Sequence, residues 1–141
     1  MRTMKIWLFV AAMMLFAAGV PPAQAQSGPI RVITTASTNS TLLRKGNAVL
    51  HILLPINPTA ALAYLKLYNK ATAPTCGTDT PVWTIPIPFG SGSSGGGIAL
   101  PSADGLLFPL GLGICVTGAL ADADSSNATA GIVLNFGVGG T

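Results

Sequence analysis

The chain has 141 residues, half of them hydrophobic and only 8% charged, with a formal net charge of +3. Its four acidic residues are all aspartate, and a single histidine (His51) and two cysteines are too few for a cysteine/histidine metal centre. The basic residues are scattered and form no stripe that could neutralise phosphates, which argues against nucleic-acid binding.

Arg2 and Lys5 precede an uncharged apolar run, Ile6 to Val20, which Pro21 and Pro22 end before Ala23-Gln24-Ala25. A basic start, an apolar middle and a small-x-small site in that order make an export signal. The run holds 15 residues, whereas a spanning helix needs about 20. Residues 1–25 are therefore expected to be a signal helix that is cleaved off, leaving no stable membrane span. Removing 25 of the 141 residues leaves 116, one domain over 26–141, large enough for a hydrophobic core. Five basic and four acidic side chains remain, a net charge of +1. The expected location is periplasmic or extracellular.

The mature chain reads as short strands between turns, with no long amphipathic helix. Strands are predicted over Ile30–Thr35, Ala48–Leu54, Leu62–Tyr68, Val82–Ile87, Gly97–Leu100, Leu106–Leu110, Gly113–Ala119 and Gly131–Val138. About eight strands at this spacing predict an all-β, antiparallel β-sandwich of jelly-roll-like type. In Ala48–Leu54, Leu50, Ile52 and Leu54 alternate with Val49, His51 and Leu53. In Leu62–Tyr68, Ala63, Leu65 and Leu67 share the core face, and Tyr64, Lys66 and Tyr68 form an amphipathic outer face. In Val82–Ile87, Trp83, Ile85 and Ile87 are expected in the core. Pro86 and Pro88 remove donors from one side of that strand, which predicts an edge blocked against further pairing. In Gly131–Val138, Ile132, Leu134, Phe136 and Val138 share a face of a core strand. Pro55–Pro58, Thr72–Thr80, Phe89–Gly96, Pro101–Gly105 and Ala121–Asn127 read as turns, and Arg44-Lys45 as a solvated turn.

Few motifs carry chemistry. Cys76 and Cys115 are an even pair in an exported chain and predict one disulfide. Gly90-Ser91-Gly92-Ser93-Ser94-Gly95 matches the dinucleotide pattern in letters, but no helix follows to hold a pyrophosphate. The overlapping Gly92-Ser93-Ser94-Gly95-Gly96 lacks both the helix and the later histidine of a nucleophile elbow. Asp122 and Asp124 are the weak candidates for a metal, in an irregular calcium loop, and an Asx-rich turn is the default. No cofactor is implied, and the inventory predicts a protein that is not an enzyme.

Lys66 to Pro74 (KLYNKATAP), Gly77 to Val82 (GTDTPV) and Thr84-Ile85-Pro86, continued by Gly105 to Phe108, Thr117-Gly118 and Ala121 to Asp124, resemble a family of small β-sandwich proteins encoded among tailed-phage and prophage structural genes. The likeness runs from about Thr41 to Val138. It implies a non-catalytic structural or surface-display role and brings no functional residues with it. The leader and the cysteine pair point to an exported relative of that sandwich. The expected function is therefore an exported structural or surface-interaction protein, whose partner is a second copy or another surface protein. The rival is a secreted ligand- or glycan-binding module that uses Tyr64 and Tyr68.

Overall fold

The computed structural model describes residues 28–91 and 95–140; the expected signal segment 1–25 and the tip of the glycine loop lie outside the described residues. Among these, every regular element is a strand: β1 (Pro29–Ile33), β2 (Thr41–Lys45), β3 (Ala48–Asn57), β4 (Ala63–Asn69), β5 (Trp83–Ile87), β6 (Gly96–Gly97), β7 (Leu100–Phe108), β8 (Gly111–Thr117) and β9 (Val133–Gly139). They form two antiparallel sheets. The first runs β1-β9-β3, with β6 and β7 both on the far side of β3; the second runs β2-β8-β4-β5. Taken as one interrupted strand, β6 and β7 bring the count to eight. The chain then crosses between sheets at every connection but the one from β4 to β5, which is the winding of a jelly roll.

Period-two alternation builds the core. Leu134, Phe136 and Val138 of β9 and Leu50 and Leu53 of β3 face Leu65 and Leu67 of β4 and Leu112, Ile114 and Val116 of β8, all buried. Each such side chain contributes about 2 kcal/mol by leaving water. Asn57, the last residue of β3, is buried as well. Its side-chain carbonyl accepts from the Thr59 N–H and hydroxyl, and its amide donates to Ala61 O, which fixes the turn into β4.

Several strand limits and facings differ from the sequence expectation. Thr41–Lys45 is a strand, so Arg44 and Lys45 sit in β2, not in a turn. Its five residues carry little alternation of their own, and pairing with β8 holds them extended. β3 runs on through Pro55 to Asn57, and β7 takes in Pro101–Gly105. The pairing of β3 shifts register between Leu50 and Ile52 on both of its sides. After that bulge Leu53 joins Leu50 in the core, and Ile52 and Leu54 face solvent, so Leu50 no longer shares a face with Ile52 and Leu54 as strict alternation places it. Ile85 and Ile87 are buried as expected, but Trp83, at the start of β5, is 46% exposed. β5 is an edge strand, paired with β4 alone, as Pro86 within it and Pro88 just after it require.

Candidate functional site

The two outward faces of the sandwich are built differently, and the tyrosines singled out from the sequence lie on the second sheet. On the second sheet, register places Tyr64 opposite Thr117, Lys66 opposite Cys115 and Tyr68 opposite Gly113. This is the face expected to be wet. Instead Lys66 and Tyr68 are fully buried and Tyr64 is half-buried. The segments 70–82 and 118–127 lie across it.

Four devices hold this roof. The Cys76–Cys115 disulfide ties the first segment to β8 and closes a separation of 39 residues; chain entropy values such a link at about 4 kcal/mol. Pro74 packs directly over Gly113, where a Cβ would come within 2.8 Å of its ring, so only glycine fits beneath it. Asp79 accepts from the Lys70 ammonium and, at 2.6 Å, from the Thr75 N–H. Those two bonds hold its carboxyl below the ordinary aspartate range. The fourth device is Lys66, whose ammonium donates to the backbone carbonyls of Ala121 (2.5 Å), Asp124 (3.2 Å) and Asp122 (3.4 Å). The carbonyl dipoles of the second segment thus converge on a side-chain cation.

This arrangement reassigns the residues singled out from sequence. Cys76 and Cys115 are bridged. Asp124 spends its carboxylate on its own loop, accepting from Ser126 N (3.0 Å), Ser126 Oγ (2.8 Å) and Ala119 N (2.8 Å). Burial works against its charge, but these bonds, with a smaller one from the Thr117 hydroxyl, prevail and lower its pKa to about 2. Asp122 contributes its backbone carbonyl to Lys66. Among the described residues no three aspartate, histidine or cysteine side chains gather as metal ligands. Tyr68 cannot serve as an exposed stacking surface. Its ring is covered, and its hydroxyl is buried without a hydrogen-bond partner among the described residues. Burial pushes its phenol pKa up, and Asp79 and Asp122 add to that. The paired-tyrosine face expected for a glycan is therefore corrected: the roof removes it. His51 sits against Gly105 and Gly139 on the first sheet, on the opposite outer face from Asp122 and Asp124.

The outer face of the first sheet is the reverse. Ile33, Ile52, Leu54 and Ile56 are exposed, Ile52 at 55%. Register sets Ile33 and Ile56 on either side of Val133, Arg31 and Leu54 on either side of Asn135, and Pro29 and Ile52 on either side of Gly137. Among these register partners one cation, Arg31, and one amide, Asn135, interrupt the apolar residues, and His51 lies on the same face. A Cβ at Gly137 would approach Ile52 to 3.2 Å, so Ile52 leans over the bare backbone of β9 and levels the face. The sequence signal for this surface was present in the apolar run of β3, but it reads as double-sided burial unless the bulge at His51 is known. No family model, no curated protein and no solved structure matches this chain.

Proposed function

We propose that this is an exported, non-catalytic β-sandwich that works by contact, and that the uncovered outer face of the five-stranded sheet is its contact surface. The observation that carries this reading is the level row of Ile33, Ile52, Leu54 and Ile56 in solvent, opposite a face closed by loops. Monomeric domains seldom leave so contiguous an apolar patch open. The preferred partner is a second copy. A level apolar sheet packs best on another sheet at about 10 Å, and a two-fold axis through the face would satisfy both molecules with the same residues. The disulfide and the basic–apolar–small order of residues 1–25 support an oxidising compartment outside the cytoplasm. The likeness to phage structural components suits an assembly role of this kind.

Sedimentation of the exported protein across a concentration series tests the proposal. A reversible dimer that Ile52→Lys with Leu54→Lys abolishes, at unchanged strand content, is the expected result. A monomer at every concentration up to the millimolar range refutes self-association. An intact mass that begins before Gln26 refutes the cleavage.

A further inference from the structure

A cavity of about 190 Å³ lies between the sheets where the edge strands β5 and β7 meet, apart from both outer faces. Its cause is local. Leu106 pairs with Leu50 and Pro101 pairs with Ile52, so four residues of β7 stand opposite His51 alone. That excursion carries β7 away from β5, and the sheets part along this edge. Gly105 turns the strand back with φ +74°, and a Cβ there would collide with Val49. The walls include Leu50, Leu67, Ile85 and Leu106; Ser102 supplies the hydroxyl, no wall residue is charged, and the exposed Trp83 stands at the mouth.

We infer that this cavity is a binding site for a small, uncharged, apolar molecule, a single aromatic ring or an alkyl chain of about six carbons. Size and chemistry both point there. A cavity of roughly 150 Å³ lined by leucine, isoleucine and phenylalanine stays dry and accepts benzene, and this one is somewhat larger. The lone hydroxyl of Ser102 leaves room for one polar group on the ligand and gives a water too few partners to hold it. An ionic ligand would lose its hydration and gain no opposite charge in return. The half-exposed indole of Trp83 gains a neighbour when the space fills, which explains a large aromatic side chain left at an open edge.

Trp83 is also the reporter. Toluene, n-hexanol and the hexanoate anion are titrated into the exported protein, with Trp83 emission and the methyl NMR shifts of Leu50, Leu67 and Leu106 as readouts; Trp83→Phe assigns the emission. Saturable changes with toluene and hexanol are expected, with Kd about 0.1–1 mM for ligands of seven heavy atoms, and hexanoate is expected to bind at least tenfold more weakly. Ser102→Leu, which narrows the space, is expected to weaken toluene at least tenfold. Absence of saturable methyl shifts with either neutral ligand overturns the inference. So does equal binding of hexanoate, or a folded Ser102→Leu protein that binds as wild type does. Should Ser102→Leu fail to fold, the wild-type methyl shifts decide alone. Self-association plays no part in these readouts, so this site and the contact face stand or fall separately.

Discussion

The outer face of the four-stranded sheet carries two loops, a disulfide and a buried lysine, whereas the outer face of the five-stranded sheet carries isoleucine and leucine into solvent. Both faces come from strands with the same alternating pattern. Their connections make the difference. Segments 70–82 and 118–127 are long enough to fold back across β4 and β8, while the links from β2 to β3 and from β7 to β8 are two-residue turns that cover nothing. Alternation thus tells which residues point outward from a sheet, and the loops decide whether outward means wet.

The comparison can be broken at the roof first. Replacing Cys76 and Cys115 together by serine should cost about 4 kcal/mol in urea unfolding and expose Tyr68 to solvent quenchers. A loss under 1 kcal/mol would mean that the roof holds without its staple. Lys66→Met should cost about 2 kcal/mol by leaving three backbone carbonyls short of a donor. Amide exchange should then quicken across 118–127 and stay unchanged in β9. Tyr68→Phe should raise stability by about 1 kcal/mol, because it removes a buried hydroxyl with no partner; a loss would reveal a water bound there.

Acid offers a gentler handle on the same roof. Asp124 titrates near 2 in the folded protein against an ordinary 3.8. Its contribution is therefore complete above pH about 4 and disappears as the pH falls through about 2. Between those limits wild type should lose more stability than Asp124→Asn, in thermal melts at matched ionic strength. The smallest effect belongs to the uncovered face, where Leu54→Lys should shift stability by no more than about 0.5 kcal/mol. A large loss there would mean that the face is buried in the working state even at low concentration.

Much of this architecture was legible in the sequence. The all-strand class, the core parity of β4 and β9 and the edge position of β5 follow from alternation and from Pro86 and Pro88. The bridge was legible from an even cysteine pair. β2 was not, because its strand state comes from its partner β8 and not from its own residues. Nor was the outward turn of Ile52 and Leu54, since a bulge at His51 leaves no mark in an apolar run. Trp83 has core parity but sits where the sheets part, a feature set by β7. The burial of Lys66 and Tyr68 was half legible. Cys115 lies between the core residues Ile114 and Val116, so it points outward. A bridge from there to Cys76 forces intervening chain across that face, so strand parity and the cysteine pair carry the signal only in combination.

Pro86 of β5 bears on how further strands could be added to this molecule. One margin of the second sheet ends in Pro86, the other in Arg44 and Lys45. Neither border offers a clean ladder for a newcomer to zip onto. At this sheet, therefore, the strand-by-strand addition that builds fibres is turned away at both borders.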